Sequence, residues 1–237
     1  MRFQDAARDA RAVVYAGIQA DPAVARAAEL LAAATTGERI LARAVMNGET
    51  TDAKTWRRMF PSLFAADGAA GPDRGGDPAR AEAILDASLS VAGRGEQARS
   101  QYRGAIVEAL TARILAQRVP AAAIKRERRI LFDGVAAEIH PYDVTVELPD
   151  RAEAYDCKWG ARGINGDVLL QLGAARANAA AEESRLIVVL VIFDARRSCR
   201  VRLARQTTPL AGVRLVSLET LDALGRAKAA AQPAGPA

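Results

Sequence analysis

The sequence predicts an α/β protein in which helices flank a mixed central sheet and an additional helical region comes first. Three observations carry this. The run LIVVLVIF at 186–193 is continuous, apolar and strand-length, as expected of a strand buried on both faces. Near 142–146 and 155–158, shorter segments alternate β-branched or aromatic residues with polar ones, the period of a strand. Between 96 and 119, Ile106, Val107, Leu110, Ile114 and Leu115 recur at helical spacing until Pro120 closes the segment.

A chain of 237 residues suffices for one large domain, or a core domain with a smaller appendage. Half of the residues are hydrophobic and 26% are charged, an ordinary balance for a globular protein. The single histidine excludes multi-His metal sites, and two cysteines cannot close a Cys-rich zinc site or a disulfide framework. No apolar run reaches the length of a membrane span and the N-terminus lacks a signal-peptide core, so a cytoplasmic, membrane-free protein is expected. The net charge of +5 is compatible with a phosphate-rich partner but does not by itself specify one.

In chain order, 1–66 reads as a helical region. Asp21-Pro22 supplies an N-cap and first-turn pair, and Thr51/Asp52 caps a short helix carrying Lys54, Trp56, Arg57, Arg58, Met59 and Phe60. Two short helices around Asn47-Gly48 fit either a nucleic-acid-contacting helix pair or an ordinary hairpin with Trp56, Met59 and Phe60 in its core. Either way this region is a candidate for targeting, a homodimer contact or a protein partner. The glycine- and proline-rich stretch 67–78 reads as a linker or loop, 79–225 as the main domain and 226–237 as a flexible tail. Within the main domain, the basic run IKRERRIL leads into a first strand near 130–132. A helix after Asp167 carries Gln171 and Arg176, and a further strand and helix follow 213.

The chemistry concentrates in a few residues. Strand alternation places Asp156 and Lys158 on one face, with Tyr155, Cys157 and Trp159 on the other; Asp143 lies 13 positions before Asp156 on a neighbouring strand. Two carboxylates and an ammonium on adjacent strands are costly to bury without a partner, and a divalent cation is one such partner. Glu108 sits among the apolar positions of the preceding helix and is a third candidate ligand. Cys157 faces the core and reads as a small hydrophobe rather than a nucleophile.

This order of elements, with Glu108, Pro141-Tyr142-Asp143, Asp156-Cys157-Lys158 and Gln171, resembles the PD-(D/E)xK nuclease superfamily and its restriction-endonuclease-like fold over roughly 97–217. The resemblance implies Mg²⁺, with Mn²⁺ as a substitute, held by Asp143, Asp156 and Glu108. It further implies that Lys158 positions the attacking water or neutralises the phosphate, and that Gln171 orients that water or holds phosphate. Arg162, Arg176 and His140 are the matching candidates for contacts to nucleic acid. The expected activity is metal-dependent endonuclease cleavage of DNA, in a prokaryotic defence or mobile-element setting that the superfamily's breadth suggests. An RNA-cleaving member of the fold and a non-catalytic nucleic-acid-binding or assembly module are the alternatives. Asp stands at 156 where Glu is commoner, and Ala175 occupies the position that is tyrosine in one branch of the superfamily.

Overall fold

A computed structural model describes residues 1–6, 10–65, 77–133, 135–136, 140–210 and 212–226. The apolar run forms β6 (Leu186–Ile192), flanked by two parallel neighbours, β5 (Ala152–Lys158) and the edge strand β7 (Arg214–Val216). Beyond β5 the sheet turns antiparallel through β4 (Tyr142–Glu147), β2 (Ile124–Phe132) and β1 (Arg2–Asp5), with the two-residue β3 (Val135–Ala136) also on β2. The protein is therefore α/β with a mixed, open sheet of order β1-β2-β4-β5-β6-β7.

Helices cover both faces. On one side α7 (Glu96–Leu115) packs across β4 and β5, and its Ile106, Leu110 and Ile114 meet Val144, Tyr155 and Cys157. On the other side α8 (Gly166–Ala181), with Leu169, Leu172 and Ala175, covers Ala154, Val188 and Leu190. The alternation along β5 follows the pleat, since Tyr155 and Cys157 face α7 while Ala154 faces α8. The short helix α9 (Arg196–Leu203) follows β6 and buries Cys199. Three 3₁₀ turns, Ala121–Ala123, Ala161–Gly163 and Leu218–Leu224, complete the described elements.

The N-terminal helices are α1 (Ala10–Gln19), α2 (Pro22–Ala32), α3 (Thr36–Asn47), α4 (Ala53–Met59) and α5 (Pro61–Phe64). They pack on α6 (Pro78–Ala92), α7 and the last 3₁₀ turn. Val24, Ala28 and Leu31 of α2 join the same core as α7 and the sheet. Asp21 caps α2 and Thr35 with Glu38 forms a capping box on α3, both readable locally. The α3–α4 pair is a packed hairpin: Trp56 is buried against Gly48, where a Cβ would approach its ring to 2.5 Å. Met59, expected in that core, is instead 60% exposed.

Two segments differ from the sequence reading. Residues 2–5, read as the start of a helix, form edge strand β1, because antiparallel pairing with Arg128–Leu131 satisfies a backbone whose four side chains give no periodic signal. The basic run 124–131 is itself strand, with Arg128 paired to Glu147 and Asp5. Of the stretch read as a linker, only Asp77 and Pro78 are described, as the cap and first residue of α6; the tail 227–237 also lies outside the described residues.

Candidate active site

The site forms where a rung of the sheet is missing. Strands β2 and β4 pair at Arg126↔Val144 and Arg128↔Tyr142, but Glu127 and Asp143, which would face each other between these rungs, do not pair. Glu127 has a left-handed backbone (φ 52°), a strained conformation for a residue with a side chain, of a kind that clusters at functional sites. On the other side, β4 and β5 pair from Glu147↔Ala152 to Val144↔Tyr155 and then part. Continuing the register would set Asp143 beside Asp156; instead, the Asp143 carboxylate accepts the Cys157 amide N–H at 2.5 Å. Side chains thus occupy space that ladder hydrogen bonds would otherwise fill.

Into this opening α7 projects Glu108, which is buried at 3% exposure. Oxygens of Glu108, Glu127 and Asp143 lie within 4.8 Å of one another. Asp156 is outside that triad and ion-pairs with Lys158, whose Nζ also lies 3.8 Å from Asp143 Oδ2. All five residues line one cavity of about 530 Å³, together with Tyr15, His140, Asn165, Asp167 and Gln171.

The electrostatics follow from four carboxylates facing one ammonium. Burial, reinforced by Asp156 and Glu108, raises the Asp143 pKa well above the ordinary aspartate range despite Lys158 nearby. Glu127 is raised as well, by burial and then by Glu108. Burial alone pulls the Lys158 ammonium down, but Asp143 and Asp156 outweigh it and hold the lysine firmly protonated. Burial pushes the Cys157 thiol up, and its Sγ rests 3.5 Å from Thr111 Oγ1, the environment of a core residue.

Supporting contacts fix this geometry. Tyr15 Oη donates to Glu108 Oε1 at 2.5 Å, and Gln19 Nε2 donates to Glu108 Oε2 at 2.7 Å and Glu127 Oε1 at 3.1 Å. Gln171 clamps the entry to β4: its Nε2 donates to His140 O and its Oε1 accepts the His140 N–H. Gly163 lies so close to Lys158 that a Cβ there would come within 2.6 Å of the lysine Cβ and Cγ, and so the loop after β5 walls in the lysine stem. Asp194, held by Arg43, accepts the Ala161 N–H and anchors that loop.

Of the residues singled out in the sequence, Asp143, Asp156, Lys158, Glu108, Gln171 and His140 meet at this cavity, with the His140 side chain exposed. Arg162 and Arg176 do not line it; Arg162 is exposed on the loop behind Lys158, and Arg176 packs over Gly212. Glu127, Tyr15 and Gln19 belong to the site without having been singled out. The only signal for Glu127 was an acid inside a basic run, and the α1 pair carried none.

No family model matches this chain, nor does any curated protein or solved structure.

The donor set suits a hard cation. Mg²⁺ takes oxygen ligands at about 2.0–2.1 Å in octahedral geometry, which sets neighbouring and opposite ligands about 3–4.2 Å apart. Three carboxylate oxygens within 4.8 Å are close to that, and their mutual repulsion is relieved by a cation. Glu108 oxygens that accept from Tyr15 and Gln19 keep further lone pairs for a metal.

Proposed function

We propose that this protein is a divalent-metal-dependent nuclease that hydrolyses phosphodiester bonds, of the PD-(D/E)xK type with a restriction-endonuclease-like core. The observation that supports this reading best is the meeting of Glu108, Glu127 and Asp143 beside the Asp156–Lys158 pair in one cavity. Among divalent cations the all-oxygen set favours Mg²⁺, with Mn²⁺ as a substitute. Such an ion, when bound, lowers the pKa of a coordinated water and offsets charge that grows on the phosphate oxygens.

The chain's own groups supply the rest. Glu108, Glu127 and Asp143 are the candidate ligands, with Asp156 at the edge of the set and tied to Lys158. Protonated Lys158 donates to the phosphate or to the attacking water and stabilises the charge of the transition state; its raised pKa argues against a role as the base. Tyr15 and Gln19 hold Glu108 in its rotamer, and Gln171 holds the backbone before β4 so that Asp143 enters the opening at a fixed depth. DNA is the preferred substrate on the resemblance, with RNA the competitor.

The test is incubation of purified protein with duplex DNA, single-stranded DNA and RNA in Mg²⁺, Mn²⁺ or EDTA, beside Asp143→Asn and Asp156→Ala. We expect cleavage only with metal, reduced at least about 10²-fold by either substitution in a protein that stays folded by circular dichroism. Full cleavage in EDTA, undiminished cleavage by either folded variant, or no cleavage of any substrate would each overturn the proposal.

A further inference from the structure

Many of the arginines among the described residues are matched. Arg39, Arg43, Arg57, Arg80, Arg118 and Arg128 each lie against a carboxylate. Others are not, and several of these cluster on and just after α9. Arg197 and Arg200 on α9, and Arg205 two residues past its end, are exposed, and their side chains make no hydrogen bond or ion pair among the described residues. The same holds for Arg162 on the neighbouring 3₁₀ turn.

Stability does not account for this face. Cations near a helix C-terminus are favoured by the helix dipole, which covers Arg200, but Arg197 lies in the first turn where a cation is disfavoured. Arg197 and Arg200 are three residues apart, so they face the same side and repel each other. The fold bears these small costs on an element that packs against the loop walling the cavity. Arg202 Nε donates to Ile164 O at 2.9 Å, Thr208 Oγ1 lies 3.8 Å from a Cβ built on Gly166, and Gly163 of that loop presses on Lys158. Asn165, Asp167 and Val168, immediately after the loop, line the cavity itself.

We propose that the outer face of α9, with Arg162, is the surface on which the sugar–phosphate backbone of a nucleic acid rests as it runs into the cavity. Eight helical residues span about 12 Å, over which duplex DNA carries about seven phosphates, so Arg197 and Arg200, with Arg205 just past the helix end, can match several in one pass. Guanidinium groups contact phosphate bidentately without reading bases, so this face supplies affinity and register rather than sequence preference. Its placement beside the cavity rests on the nuclease reading, whereas binding itself requires no cleavage.

The experiment measures binding in EDTA by fluorescence anisotropy from 0.05 to 0.3 M salt, on duplex DNA, single-stranded DNA and RNA. It compares the wild type, the triple variant Arg197→Gln/Arg200→Gln/Arg205→Gln, and a charge-matched triple, Arg26→Gln/Lys54→Gln/Arg58→Gln, on the N-terminal helices. For the nucleic acid bound best, the α9 triple should raise Kd on the order of 10²-fold near 0.1 M salt and flatten the log–log salt slope by about 3 for duplex or about 2 for single strands. The charge-matched triple should leave the slope nearly unchanged. Equal losses in the two triples, loss only in the N-terminal triple, or an α9 triple that binds like the wild type would overturn the proposal. So would wild-type protein that binds anionic phosphatidylserine vesicles through α9 but no nucleic acid. Cleavage in Mg²⁺ is scored separately: α9-dependent binding without cleavage retains this surface and removes the nuclease reading.

Discussion

Strand β5 carries buried acids near both ends, and the protein treats them in opposite ways. At its start, Glu153 is held by Arg118, whose guanidinium donates to Glu153 Oε1 at 3.0 Å, to Tyr155 Oη at 2.8 Å and, through Nε, to Leu224 O. Burial would push the Glu153 carboxyl up, but hydrogen bonds from Arg118 and Tyr155 overcome it and lower the pKa. At the other end, Asp156 shares Lys158 with Asp143, and among the described residues Glu108 and Glu127 form no ion pair. There burial wins and Asp143 is raised. One end is a closed electrostatic unit that holds α7, β5 and the last 3₁₀ turn together. The other is an open one, left short of positive charge where a metal and a phosphate would supply it.

Arg118→Ala tests the closed end and should have the largest effect on stability. It strands Glu153 in the core, so we expect a loss of about 3–5 kcal/mol in urea unfolding. A loss under about 1 kcal/mol would show that Glu153 is solvated and that the contrast between the ends is false.

Titration sharpens the comparison, because the two ends predict slopes of opposite sign. A carboxyl lowered in the folded state, as Glu153 is, adds stability above its unfolded pKa that is lost as pH falls through the folded value. Asp143 and Glu127, raised in the folded state, behave the other way: they favour folding below an unfolded pKa of about 4, and that contribution is lost as pH rises through their folded values. In EDTA, Asp143→Asn should therefore flatten the fall in Tm toward neutral pH, and Glu153→Gln should weaken the rise out of acid. A Tm–pH curve for Asp143→Asn that parallels the wild type would remove the charge excess from the site. Added Mg²⁺ should raise the wild-type Tm at neutral pH and leave that of Asp143→Asn little changed.

The smallest effect belongs to Tyr15→Phe, which removes one donor to Glu108 while keeping the ring. We expect a stability loss of about 1–2 kcal/mol and little change in secondary structure by circular dichroism. A neutral substitution would mean that α1 covers the site without holding it.

How much of this was legible follows from the range of each interaction. Asp143, Asp156 and Lys158 could be read because strand alternation is local and β-branched neighbours mark it. Glu108 could be read because an acid among helical apolar positions stands out. Glu127 could not, because its place in the site depends on a left-handed backbone inside a charged run that resembles any solvated strand. Tyr15 and Gln19 could not, because nothing near α1 announces that it docks on α7. Edge strand β1 escaped for the same reason: its partner β2 lies more than a hundred residues away. The burial of Met59 was misjudged because a short helix has too few turns to reveal which side it packs.

The span of the site's contacts also bears on the order in which the molecule can assemble. Asp143 reaches the Cys157 amide across 14 positions, within a hairpin that closes quickly, whereas Tyr15 reaches Glu108 across 93. Loop closure over that distance costs more entropy, which the packing of α2 on α7 offsets before α1 itself docks. During refolding the β4–β5 half of the cavity therefore takes shape first, and the lock on Glu108 arrives with the docking of α1. A nascent chain acquires the β4–β5 hairpin before its site is rigid.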